Sequence, residues 1–157
     1  MAGPPLPATL SRRRPPPTGD EETTTVLRLG EFEGVPCLSL SEAHTIIQKL
    51  KTSRSQTDEQ GNKPVPMPNT DVYNKTEAYL ETFVRFKTEQ SASQVEAVSQ
   101  KLVQEGLITS FERAQLATLC CDTVEEARTL IPSLEGKVSD DELQQTLDDI
   151  SKMRDFS

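Results

Sequence analysis

The stretch TSFERAQLATLCCDTVEEARTLIPSLEGKVSDDELQQTLDDI at residues 109–150 decides the fold class. Three times within it a Ser or Thr is followed three positions later by Glu, at Thr109, Thr123 and Ser139. This spacing is typical of a capping box, in which the two side chains satisfy the free backbone amides of a helix start. Apolar residues then recur every three or four positions, and Pro132 ends the second helix. The stretch therefore predicts three short amphipathic helices in succession.

Two further helices are predicted upstream. Asn69 or Thr70 caps the first, whose apolar stripe runs from Val72 through Tyr79, Leu80 and Phe83 to Phe86. The second begins at Ser91, with Gln94 as its capping partner, and ends at Gly106. Residues 69–157 thus predict a mainly α fold, a five-helix bundle able to fold alone. Its predicted core comprises Tyr79, Phe83, Phe86, Phe111, Leu116, Leu119, Leu143, Leu147 and Ile150.

Residues 23–51 predict a smaller unit of one or two strands, Thr23–Leu29 and Val35–Leu40, and a helix from the Ser39 and Glu42 capping box to about Lys51. Such a unit closes no core of its own. Either another chain covers its apolar residues or the segment folds back on the bundle, and the first alternative is favoured. The expected partner contacts are Val26, Leu27, Leu29, Leu38, Leu40, Ile46, Ile47 and Leu50.

Proline and charge define the rest of the chain. Six of the eleven prolines lie in residues 1–17 and three in 64–68, so we expect a disordered tail at 1–22 and a polar linker at 52–68. The formal charge of −8 argues against a protein that holds nucleic acid or an anionic membrane mainly by its own charge. No apolar run approaches the roughly 18 residues of a membrane-spanning helix. The adjacent Cys120 and Cys121 suit a reduced, intracellular protein.

No residues suggest catalysis, a cofactor or a metal. His44 is the only histidine, and a zinc site would require Cys37, Cys120, Cys121 and His44 to converge without a CxxC pair. Phosphate-binding glycine loops and the hydrolase nucleophile elbow are missing from the sequence. Basic residues such as Lys75, Arg85 and Lys87 could support nucleic-acid binding, but the aromatic residues between them belong to the predicted buried stripe.

Three longer motifs carry a family resemblance: YLETFVRFK at 79–87, FERAQLATLCCDTVEEARTLIPSLEG at 111–136 and DDELQQTLDDI at 140–150. They resemble the fourth-largest subunit of eukaryotic RNA polymerase II, which has a counterpart in the archaeal RNA polymerase. LRLGEFEG at 27–34 and LSLSEA at 38–43 are similar to its N-terminal part. The resemblance covers roughly residues 23–157.

The resemblance implies a non-catalytic, nuclear subunit, with the cytoplasm left open as a second compartment. It implies a heterodimer with the seventh-largest subunit, which forms a stalk on the polymerase core near the RNA exit channel, supports initiation and meets transcription and RNA-processing factors. Nucleic acid would be contacted mostly through the partner. The bundle would resemble the helicase and RNase D C-terminal (HRDC) domain, and Ile131, Pro132 and Leu134 would present it to the partner. The alternative is an autonomous HRDC-like nucleic-acid-binding module.

Overall fold

Six helices and a two-stranded hairpin make up the computed structural model, which describes residues 21–56 and 64–154. Residues 1–20 of the predicted disordered tail, residues 57–63 of the predicted linker and residues 155–157 lie outside the described residues. The predicted end of the tail at residue 22 is wrong, because Glu22 is the first residue of a strand. The elements are β1 (Glu22–Thr23), β2 (Leu27–Arg28), α1 (Leu40–Ser55), α2 (Asp71–Phe83), α3 (Glu89–Gln104), α4 (Ser110–Leu119), α5 (Val124–Leu130) and α6 (Asp140–Lys152). None of these helices is long and apolar enough to cross a membrane.

The helix starts follow the capping signals in all but one case. Ser39 and Thr109 form complete capping boxes with Glu42 and Glu112, and Thr123 and Ser139 accept a hydrogen bond from the amide three residues later. The predicted start of α3 at Ser91 is wrong. Thr88 is the N-cap, and its hydroxyl accepts a hydrogen bond from the Ser91 amide at 3.1 Å. The first turn after Thr88 contains only charged and polar residues, so the apolar periodicity does not mark this earlier start.

The core of the bundle lies between α3, α4, α5 and α6. Its larger cluster contains Leu102, Ile108, Leu116, Cys121, Ala127, Ile131, Leu134, Val138, Leu143 and Leu147, and a smaller one contains Phe86, Val95, Ala117, Cys120 and Ile150. The predicted partner contacts of Ile131 and Leu134 are therefore wrong, because both side chains are fully buried in this core. Pro132, half-buried between them, opens a 3-10 turn that folds both neighbours inward.

The buried face of α2 includes Leu80 of the predicted stripe but is rotated by one position from the row of Tyr79 and Phe83. Tyr73, Glu77, Leu80 and Val84 face inward, whereas the core placement of Tyr79 and Phe83 is wrong: they are 51% and 55% exposed. One position on a helix is a rotation of about 100°, and α2 carries apolar residues on both of these rows, so the pattern does not choose between them. Phe111 and Leu119, also predicted for the core, are half-buried.

The N-terminal unit folds back on the bundle, since α1 packs against α2, α3 and α4. β1 and β2 form a short antiparallel hairpin that pairs Glu22 with Arg28 and Thr23 with Leu27. The predicted second strand at Val35–Leu40 is absent from the described residues, and its backbone runs irregularly into α1. α1 also extends to Ser55, four residues into the predicted linker.

Candidate partner-binding surface

A buried ion pair anchors the N-terminal unit to the bundle. The Arg113 guanidinium of α4 donates from Nη1 and Nη2 to the two carboxylate oxygens of Glu42, at 3.1 and 3.2 Å, and Nη2 also donates to the Cys37 carbonyl at 2.8 Å. Glu42 is also the capping-box residue of α1, where it accepts from the Ser39 amide at 2.6 Å. One carboxylate therefore both starts α1 and fastens it to α4, and such paired geometry is strongly directional.

The inner face of α1 is polar. Ser41 and His44 are its buried residues, although the helix contains several large apolar side chains. His44 Nε2 lies 3.5 Å from Glu81 Oε1, and Gln48 donates to the same carboxylate at 3.1 Å. Lys51 pairs with Glu77, and this hydrogen bond raises the pKa of the lysine. α1 is thus held to α2 through polar contacts.

The outer face of α1 is apolar and faces solvent. Ile46 and Leu50 are 51% and 42% exposed and lie one turn apart, and Ile47 beside them is half-buried. A groove between α1 and α3 borders this face, and it is lined by the apolar Leu38, Ile46 and Ala92 together with polar and charged residues that include Lys49 and Glu89. A helix that turns polar residues inward and apolar residues outward is the reverse of an ordinary surface helix. We call this area, Leu38 with Ile46, Ile47 and Leu50, the α1 face.

A second groove, lined largely by apolar side chains, lies where the hairpin meets α4. Leu27, Leu29 and Val35 line one side and Phe111 lines the other. Val26 at the tip of the hairpin is also exposed. Of the predicted partner contacts, Val26, Leu38, Ile46 and Leu50 are exposed, Leu27, Leu29, Leu40 and Ile47 are half-buried, and Pro132 lies apart from both grooves.

A buried carboxylate that the sequence did not single out for this role holds the loop after α5 against α4. Glu112 is fully buried and accepts from Ser133 Oγ and Lys137 Nζ, each at 2.6 Å, and from the Thr109 amide at 2.8 Å. Burial by itself would raise the pKa of Glu112, but the hydrogen bonds from Lys137, Ser133 and Thr109 outweigh burial and hold the pKa below its ordinary value. The charged carboxylate is therefore part of the folded state.

The cysteines and the histidine do not converge. Among residues 21–56 and 64–154, no three His, Cys, Asp or Glu side chains form a group suited to a metal ion. Cys120 and Cys121 are free thiols buried in the two core clusters. Burial raises the pKa of both thiols, that of Cys121 to about 11. They pack as small apolar residues.

The family model and the similar proteins all indicate the same family. The family model described as RNA polymerase Rpb4 matches residues 37–154, which include α1 to α6. DNA-directed RNA polymerase II subunit rpb4 of Schizosaccharomyces pombe is 44% identical over 131 residues, 83% of this chain and 90% of that protein. Subunit RPB4 of Saccharomyces cerevisiae is 48% identical over 85 residues, 54% of this chain and 36% of that protein. DNA-directed RNA polymerase II subunit 4 of Arabidopsis thaliana is 31% identical over 134 residues, 83% of this chain and 91% of that protein.

Proposed function

The chain belongs to the RNA polymerase Rpb4 family, and from this premise we propose that it is a non-catalytic subunit of DNA-directed RNA polymerase II that acts in transcription in the nucleus. The relatives named as subunits of that polymerase support this, since two of them are matched over about nine tenths of their own length. The proposal places the protein in a large assembly, where its role is structural and regulatory.

We further propose that it forms a heterodimer with the seventh-largest subunit of the polymerase, and that the pair forms the stalk beside the RNA exit channel. There it supports initiation and meets transcription and RNA-processing factors. The observation that carries the pairing is the α1 face. Exposed Leu38, Ile46 and Leu50 are not needed to attach α1 to the bundle, because its polar face already does so.

The hairpin extends the proposed interface. Val26 is exposed beside the groove of Leu27 and Leu29, so a partner that covers the α1 face could continue across Phe111 to the hairpin. Apolar patches of this kind mark protein interfaces, since water contact with them is unfavourable. A two-stranded hairpin also offers an edge to which a strand of a partner can add.

The double substitution Ile46→Asp with Leu50→Asp tests the pairing. Both side chains are largely in solvent, so the charges should leave the fold intact and abolish co-purification with the co-expressed seventh-largest subunit. Val72→Asp is the matched control, because Val72 is 77% exposed in the first turn of α2 and an aspartate suits that position.

Two results would contradict the pairing. Retention of the partner by the Ile46→Asp, Leu50→Asp variant, with a circular dichroism spectrum equal to wild type, would show that the α1 face is not the interface. An equal loss of the partner in the Val72→Asp control would show that the effect is not specific to α1.

A further inference from the structure

The outward row of α2 combines aromatic rings with positive charge. Tyr79 and Phe83 are exposed, and their ring centroids are 4.6 Å apart with the planes tilted by 37°. Lys75 precedes them in the same row, since positions i, i+4 and i+8 lie on one side of a helix. Two flat apolar surfaces and a cation therefore point into solvent together.

Two more cations follow directly after α2. The chain leaves the helix in an extended conformation at Val84, and burial then alternates: Val84 and Phe86 are buried, while Arg85 and Lys87 are exposed. The core thus positions Arg85 and Lys87 on the solvent side, close in sequence to Phe83. We call Lys75, Tyr79, Phe83, Arg85 and Lys87 the α2 platform.

The cations of the α2 platform are not neutralised within the protein. Lys75, Arg85 and Lys87 make no ion pair with any residue in 21–56 or 64–154, whereas most other cations of the bundle do. Two of the three carboxylates on α2, Glu77 and Glu81, lie on the side toward α1 and bind Lys51 and His44, whereas the exposed Asp71 lies one turn before Lys75 and makes no ion pair with it. Beyond the first turn of α2, the carboxylates therefore face α1, while Lys75 lies on the aromatic row.

We propose that the α2 platform binds single-stranded RNA, with bases stacked on Tyr79 and Phe83 and phosphates held by Lys75, Arg85 and Lys87. Exposed aromatic rings combined with cations that make no ion pair are the features with which proteins hold single strands of no defined sequence. A protein partner would also cover the rings, but three uncompensated cations fit a polyanion better than an apolar surface. The acidity of the whole chain does not oppose a local contact, because screening limits charge effects to about 10 Å at 0.1 M salt.

Binding of a fluorescein-labelled 12-nucleotide oligouridine RNA to the full chain, followed by fluorescence anisotropy, tests the proposal. The Tyr79→Ala, Phe83→Ala variant should bind at least tenfold more weakly, since a single base stack commonly contributes a factor of about five or more. Tyr79→Trp retains a ring and should retain affinity. Leu130→Ala on α5, at 49% exposure, is the matched control and should bind like wild type.

The salt dependence of the RNA affinity tests the role of Lys75, Arg85 and Lys87. Three phosphate contacts to a single strand give a slope of log affinity against log salt of about −2. The Lys75→Gln, Arg85→Gln, Lys87→Gln variant should flatten that slope toward zero. Lys101→Gln removes an exposed cation of α3 that makes no ion pair in the described part of the chain, and it should leave the slope unchanged. Photocrosslinking of the bound RNA should map to Tyr79 or Phe83.

Three outcomes would overturn the proposal: no RNA binding at about 100 μM protein in low salt, binding unaffected by removal of both rings, or crosslinks confined to other residues. Loss of the seventh-largest subunit in the Tyr79→Ala, Phe83→Ala variant, with RNA binding unchanged, would instead identify the α2 platform as a protein interface. Each variant is first compared with wild type by circular dichroism and thermal unfolding. The result is independent of the α1 test, which concerns a different face of the molecule.

Discussion

Replacement of Glu112 by Gln tests the claim that a charged carboxylate is part of the folded bundle. The carboxylate is fully buried and accepts hydrogen bonds from Ser133, Lys137 and the Thr109 amide. A glutamine keeps the shape but has one acceptor oxygen, so its amide group must face a donor. Loss of one member of a buried pair costs about 3–5 kcal/mol. Lys137 is 36% exposed and can turn to water, so the lower end, about 3 kcal/mol, is expected.

The measurement is urea unfolding at pH 7 followed by circular dichroism, supported by thermal melts. A loss of about 3 kcal/mol corresponds to a decrease in Tm of about 10 °C for a domain of this size. Glu96→Gln is the matched control, because Glu96 is an exposed glutamate on α3, and its effect should stay within about 0.5 kcal/mol.

The pH dependence of the free energy of unfolding provides a second measurement of the role of the Glu112 charge. A carboxylate whose pKa is lowered on folding contributes stability that is complete above its unfolded pKa, about 4.3, and is lost as the pH falls through the lowered folded value. The stability difference between wild type and Glu112→Gln should therefore shrink between pH 5 and the onset of acid unfolding, expected at roughly pH 3. A loss below about 1 kcal/mol at pH 7, or a difference that does not change with pH, would refute the role given to the charge.

Two further predictions concern the anchor of α1 and the cysteines. Arg113→Met should destabilise the protein by about 3 kcal/mol and expose the bond after Arg54 to limited trypsin digestion, because it leaves Glu42 buried without its cation; unchanged digestion kinetics would contradict the anchoring role. Iodoacetamide at pH 8 should alkylate Cys37 well before Cys120 and Cys121, since burial and a raised pKa keep the latter two as protonated thiols. Mass spectrometry of the digested protein measures the order, and equal rates would show that the two core thiols are accessible.

The parts of the fold that were predicted correctly are those encoded by interactions between residues close together in the sequence. The starts of α1, α4, α5 and α6 were predicted correctly, since a capping hydrogen bond joins residues only three positions apart. The same locality accounts for the end of α3 at Gln104, two residues before Gly106, whose backbone has a positive φ of 74° that glycine tolerates well. The start of α3 was predicted three residues late because both Thr88 and Ser91 can act as caps.

The candidate sites were predicted less well, because they depend on which face of a helix the rest of the molecule covers. Ile131 and Leu134 are apolar like Ile46 and Leu50, yet the first two are buried and the last two are exposed. No local pattern separates the two pairs. The α2 platform was not predicted for the same reason, since Tyr79 and Phe83 were assigned to the core.

The sequence by itself determined the helical class, most helix boundaries and membership of a family of polymerase subunits, because these are encoded in short motifs and their spacing. Only the tertiary structure decided which side of α1 and α2 faces water. That choice is made by contacts between residues far apart in the chain, such as Arg113 with Glu42 and Glu81 with His44. These polar contacts turn α1 so that Ile46 and Leu50 remain exposed, and the burial of Leu80 and Val84 leaves Tyr79 and Phe83 in solvent.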